Sequence, residues 1–164
     1  MLTVTSLAVL SLLTVTFAAA GKASPVNACD LLTLTDVQGV LGAGFTAHPV
    51  SGATCAYSRG QGDHETDVVI GVSSIPPQVA SDSTPWLKMQ QANIKQRGGT
   101  VTVTPVSGLG EGAFYLLDAG KKPPVFQLHF GRGSREVVLD VETGREPNIG
   151  AAQTLGKIAY ARLR

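Results

Sequence analysis

The densest group of side chains able to do chemistry is Asp63, His64, Glu65 and Asp67. Carboxylates and an imidazole bind a divalent cation when they converge. In an extended chain, however, neighbouring side chains point to alternate sides, and the run lacks the Asp-x-[Asp/Asn]-x-[Asp/Asn]-Gly spacing of a calcium loop. It reads as a solvated acidic turn, and no metal is assigned to it. The other histidines, His48 and His129, fall in separate segments. His129 lies on the polar side of an alternating stretch, where folding could set it beside Asp140 on the adjacent strand as a sheet-surface pair. No serine stands on a Gly-x-Ser-x-Gly elbow and no thiol has a partner histidine, so no catalytic residue is assigned. Gly108-Leu109-Gly110-Glu111-Gly112 is not a phosphate-binding loop, having neither the Gly-x-Gly-x-x-Gly spacing nor a strand before and a helix after it. It reads as a tight turn whose glycines supply positive φ, and Gly131-Arg132-Gly133-Ser134 reads as the turn between two strands. Trp86 and Tyr57 could line a groove between a helix and the sheet, although core packing is the commoner use of such residues. No cofactor is implied.

Cys29 and Cys55 are the only cysteines. Lipid attachment at Cys29 would need a lipobox, which Val26-Asn27-Ala28-Cys29 matches only loosely, and it would strand Cys55 as a lone thiol. Two buried free thiols are a further alternative. A metal pair is weaker still, because no Cys-x-x-Cys spacing or histidine pattern accompanies them. A disulfide uses both sulfurs and fits an oxidising compartment, so the favoured reading is a Cys29 to Cys55 bridge. Export is expected independently. Met1 to Ala20 carries no charge and is a nearly continuous apolar run ending in Ala18-Ala19-Ala20, which suits a signal peptide over residues 1–23 with cleavage after Ala20 or Ala23. A basic residue ahead of the run is missing, and the stretch is also close to the lower length limit for an uncleaved membrane anchor. The remainder, residues 24–164, fits a single exported domain.

Of the 164 residues, 43% are hydrophobic, 15% are charged and the net charge is +1. Such a chain can bury a core and is not of the disordered class. Nucleic acid is excluded as a partner class, because a phosphate-tracking surface needs a concentrated basic face. Lys121 and Lys122 occupy one turn and Arg132 and Arg135 another.

The elements that must position these groups follow from periodicity. Thr35-Asp36-Val37-Gln38 reads as a capping box opening a short helix, with Val37, Val40 and Leu41 on one face and Gly42 and Gly44 as its stop. Thr46 to Ser51 reads as a loop or irregular strand. Thr54 to Ser58 and Asp67 to Ser74 alternate as strands and should pair as a hairpin across the turn at Arg59 to His64. Thr84-Pro85-Trp86 places a hydroxyl at the N-cap and Pro at the first position of a helix running to Arg97, ended by Gly98-Gly99. Val101 to Val106, Gly112 to Leu117, Pro124 to Phe130 and Arg135 to Thr143 read as a four-strand meander. A terminal helix runs from Asn148 to Leu163, with Ile149, Ala152, Leu155, Ala159 and Leu163 on one side. There is no regular β-α-β alternation. The predicted fold is therefore α+β, a mainly antiparallel sheet of about five to six strands with helices packed on one face and no transmembrane helix in the mature chain.

Ala28-Cys29-Asp30-Leu31-Leu32-Thr33, Ala53-Thr54-Cys55-Ala56-Tyr57 and Val106-Ser107-Gly108-Leu109-Gly110-Glu111-Gly112-Ala113-Phe114 are followed by two strands and a helix ending Ala161-Arg162-Leu163. This pattern resembles the small exported domains of unknown function abundant in actinobacteria, many of them lipoproteins. The resemblance covers about Cys29 to Leu163. It implies a cysteine pair joining the first helical segment to the first strand and an antiparallel sheet with flanking helices, similar to PsbP-like and LpqN-type envelope proteins. It implies no catalytic residues. The functional expectation is a secreted or envelope-associated, non-enzymatic module binding an envelope protein or a small ligand. The alternative is an extracytoplasmic enzyme of hydrolase type whose groups converge only in three dimensions.

Overall fold

The computed structural model describes residues 26–60, 65–76, 82–97, 99–122, 124–144 and 146–164. The expected signal peptide lies outside them, as do Asp63 and His64. Among the described residues the chain order is α1 (Ala28–Leu31), α2 (Leu34–Leu41), β1 (Thr46–Ser51), β2 (Thr54–Arg59), β3 (Thr66–Ser74), α3 (Ser83–Arg97), β4 (Val101–Pro105), β5 (Phe114–Asp118), β6 (Val125–Arg132), β7 (Arg135–Thr143), β8 (Glu146–Pro147) and α4 (Ile149–Arg162).

The fold is α+β, built on one antiparallel sheet in the order β1-β2-β3-β7-β6-β5-β4, with the short β8 on β7. Two meanders, β1 to β3 and β4 to β7, meet along β3 and β7. Eight strands exceed the five to six expected. Part of the excess is β1, which pairs with β2 despite Pro49 and an irregular register between Pro49 and Ser51. The rest is β8, too short for periodicity to reveal.

Strand alternation divides the sheet into two faces. On the first lie Cys55, Tyr57, Val68, Ile70, Phe126, Leu128, Phe130, Val137, Leu139 and Val141, all buried. Ala152, Leu155 and Ala159 of α4 and Ala28 and Leu31 of α1 join them in one core. Gly156 brings α4 close: a Cβ there would stand 2.7 Å from Leu128 Cδ2. Asn148 caps α4 as expected, accepting from the Ala151 amide.

The expectation of helices on one face is corrected by α3, which lies on the opposite face. Its Ser83 backs onto Gly131, where a Cβ would meet Ser83 Cβ at 2.6 Å, and Ser83 N donates to Gly133 O at 2.6 Å. Leu87 and Phe114 are buried there, outside the main core. Phe114-Tyr115-Leu116-Leu117 is apolar at successive positions, the mark of a strand covered on both sides. α3 begins at Ser83 rather than Pro85, because the Asp82 carboxylate accepts from the Thr84 amide at 3.0 Å.

The cap of α2 also differs. Thr33, not Thr35, is the N-cap: its hydroxyl accepts from Asp36 N, and the Asp36 carboxylate accepts from Thr33 N at 2.8 Å. Asp36 is selected by a tertiary partner, since Arg162 at the end of α4 donates to both carboxylate oxygens, with Nη2 2.9 Å from Oδ1. The same guanidinium donates to the Leu31 carbonyl at 3.1 Å. Its hydrogen bonds, with those from Thr33, hold the Asp36 carboxyl at a pKa of about 2.

Cys29 and Cys55 form a disulfide joining α1 to β2, with Cα atoms 5.2 Å apart. The bridge closes a sequence separation of 26 residues, for which the chain-entropy relation gives about 3.5 kcal/mol of stabilisation. A Cys29→Ser, Cys55→Ser double variant is expected to lose about 3 kcal/mol in urea unfolding; an unchanged midpoint would show that the bridge does not constrain the unfolded chain.

Candidate functional site

α3 covers only part of the second face, and polar side chains gather beneath and beside it. His129 stands on β6 opposite Val138, and Glu136 on β7 opposite Gly131. Glu136 Oε1 accepts from His129 Nδ1 at 3.0 Å, while Glu136 Oε2 accepts from Trp86 Nε1 of α3 at 2.6 Å. His129 Nε2 faces Gln127 Oε1 at 3.4 Å, and the imidazole stacks on Phe114 with centroids 4.6 Å apart. The histidine and glutamate side chains are 13% and 9% exposed. A carboxylate so deeply placed is costly unless hydrogen-bonded, and here each oxygen has a donor. The arrangement fixes the imidazole and fastens α3 to the sheet. Among the described residues its hydrogen bonds run among Trp86, Glu136, His129 and Gln127 and include no serine, threonine or thiol.

The same face continues past α3 onto β7 and β3. Asp67 pairs with Glu142 and Val69 with Asp140 across the ladder. Burial, reinforced by Glu142 and Asp67, pushes the Asp140 carboxyl up to about 7. Its Oδ1 is buried with no hydrogen-bond partner among the described residues. Burial raises Glu142 and Asp67 as well, reinforced by Asp67 at Glu142 and by Glu65 at Asp67, while His48 pulls Asp67 back. His48 itself lies on the exposed edge strand β1, 3.1 Å from Ser58 Oγ.

The geometry bears on several of the expected placements. His129 takes Glu136 as its carboxylate partner, not Asp140. Glu65 and Asp67 of the acidic run are described, and among the described residues no cluster of three ligating side chains could hold a metal ion. Trp86 and Tyr57 do not share a groove: Tyr57 is buried in the core on the first face, its hydroxyl donating to the Leu32 carbonyl, and Trp86 is on the second. Burial raises the Tyr57 hydroxyl to about 12. Gly108, Gly110 and Gly112 have positive φ as a turn requires, and the loop drives Leu109 into the core. Gly131 is not a turn residue but part of β6, kept side-chain-free by the approach of Ser83. The basic residues stay dispersed. Lys121 and Lys122 are exposed between β5 and β6, and Arg132 lies 6.0 Å from the Tyr160 ring. Arg135 helps line a cavity of about 310 Å³ with Val26, Gly52, Ala53, Val72, Ser73 and Ser74.

Glu136 and Gln127 were not singled out by the sequence, although Glu136, Asp140 and Glu142 at even spacing mark an acidic stripe on one side of β7. No protein-family model matches the chain, and comparisons with curated proteins and with solved structures found no match.

Two outcomes follow. Glu136→Ala leaves the Trp86 and His129 donors unsatisfied and is expected to cost about 2–3 kcal/mol in chemical denaturation; a loss below ~0.5 kcal/mol would deny the network a structural role. Asp140 has its folded pKa raised above that of an unfolded aspartate, so its favourable contribution is complete below about pH 4 and is lost as pH rises through about 7. Asp140→Asn should therefore stabilise the protein by roughly 1–2 kcal/mol at pH 8, a value reduced for solvent screening, with a gain that shrinks toward pH 4. A pH-independent difference between the two proteins would contradict this assignment.

Proposed function

We propose that the chain is an exported, disulfide-closed, non-enzymatic module that binds an envelope protein or a small ligand, secreted or held at the cell envelope. The observation that carries the binding role is the part of the second face that α3 leaves open. Val69 lies on β3, in the interior of the sheet, and is still 40% exposed. Interior strands usually have both faces covered or one face polar; here an exposed valine stands among the half-buried carboxylates of Asp67, Asp140 and Glu142. The Cys29–Cys55 bridge supports the extracytoplasmic reading, as disulfides persist in oxidising compartments. No helix among the described residues is long and apolar enough to cross a membrane.

The enzymatic alternative has one observation in its favour, the His129–Glu136 pair. Among the described residues that histidine bonds to Glu136 through Nδ1 and to Gln127 through Nε2, whereas a hydrolase would need a nucleophile at Nε2.

The test is native mass spectrometry of the exported protein. The expected species begins after Ala20 or Ala23, is two protons lighter than the dithiol form, carries no lipid on Cys29 and retains a bound component that Val69→Arg releases without unfolding the domain. Recovery only inside the cell, with two free thiols, would defeat the export reading; retention of the component by the variant would move the binding surface elsewhere.

A further inference from the structure

The two edges of the sheet are built differently. β1 is blunted by Pro49 and by the irregular register between Pro49 and Ser51, two devices that prevent a further strand from adding. β4 at the other edge has the sequence Val101-Thr102-Val103-Thr104-Pro105, and from Gly99 to Gly108 there is no charged residue. Alternating valine and threonine has high strand propensity.

The direction of its backbone groups is fixed by the pairing with β5. Val106 N donates to Ala113 O at 2.9 Å, and Thr100 O accepts from Ala119 N. In an antiparallel ladder the groups of successive residues point to opposite sides. Thr100, Thr102, Thr104 and Val106 therefore face β5, and Val101, Val103 and Pro105 face outward. The outward edge offers the amide and carbonyl of Val101 and of Val103, then the carbonyl of Pro105. Proline has no amide to offer, so it limits the usable edge to the part centred on Thr102.

We propose that β4 is a self-association edge, pairing antiparallel with β4 of a second copy about a two-fold axis through Thr102. In this register Val101 faces Val103 of the second copy and exchanges both backbone hydrogen bonds with it. The symmetric pair does the same, making four bonds. A two-fold centred on Val103 would set Val101 against Pro105 and lose a donor on each side, so the Thr102 register is preferred. Thr102 meets its own copy at the close, non-hydrogen-bonded position, and the valine pairs lie together on the α3 side of the joined sheet. A partner identical to the chain satisfies the edge because the pattern is self-complementary and uncharged, so no like charges are brought together. The strand is short, and the dimer is expected to be weak and concentration-dependent.

Thr102 points its own amide and carbonyl to β5 and its side chain is exposed, so its replacement leaves the monomer's ladder in place. Sedimentation equilibrium of the full chain should show reversible dimerisation. Thr102→Lys places two ammonium groups face to face and should weaken the dimer at least about tenfold, and Val50→Lys on the β1 edge should leave it unchanged. Thr102→Cys, oxidised in dilute solution, should give a covalent dimer on a non-reducing gel, because paired residues at this position lie about 4.5 Å apart at Cα. Thr104→Cys, whose counterpart in this register is Thr100, should not. A wild-type chain monomeric at every concentration, a dimer broken by Val50→Lys but not by Thr102→Lys, or equal cross-linking at the two cysteine positions would each overturn the proposal.

Discussion

The ladder between β3 and β7 is the constraint on which the rest depends. It runs unbroken from Thr66 opposite Thr143 to Ser74 opposite Arg135 and is the seam between two meanders that otherwise share no strand. Its register decides what each face contains. Val68, Ile70, Val137, Leu139 and Val141 point into the core with α1, α2 and α4, and Asp67, Asp140, Glu136 and Glu142 take the other side. A one-residue slip of β3 against β7 would send Val68, Ile70 and Val72 outward and turn Asp67 and Val69 toward the core, which is why the pairing is so strongly specified. The strands it joins are far apart in sequence, with α3, β4, β5 and β6 between them. The loop-closure cost of this seam falls on folding speed more than on stability.

The acids of β7 show how one strand places carboxylates in different surroundings. Glu136 lies under α3 with a donor on each oxygen, from Trp86 and His129. Asp140, four positions along the same side, lies beyond the helix with an orphaned oxygen, two acids nearby and a pKa near 7. Both lose hydration. What separates them is that α3 supplies a hydrogen-bond donor to Glu136 and none to Asp140 Oδ1.

Much of this architecture could be read from local pattern. β6 and β7 were visible because Phe126, Leu128 and Phe130 alternate, as do Val137, Leu139 and Val141, and the β2–β3 hairpin and α4 followed from turn residues and helical spacing. The bridge was legible from parity, since two cysteines with no metal spacing leave few alternatives. The cap of α2 was misplaced by two residues because its choice depends on Arg162, far along the chain and invisible to a four-residue motif. The side taken by α3 was hidden for a related reason. Among its described residues that helix buries Leu87 as its one hydrophobic side chain, so its own amphipathicity gives no direction; the signal lies in the doubly apolar run of β5. Glu136 was missed because a buried carboxylate is unintelligible until its donors, from α3 and β6, are known.

Arg162 also has a meaning in time. A polypeptide is made from its N-terminus, so α1, α2 and both cysteines emerge well before the residue that clamps Asp36 and the Leu31 carbonyl. Until α4 arrives, the first two helices lack the surface they finally rest on, whereas Cys29 and Cys55 need nothing from the C-terminal half in order to meet. The covalent tie can thus hold the opening segment beside β2 as a placeholder, and the last helix closes the molecule as a latch. A chain truncated before Arg162 would carry the tie without the latch.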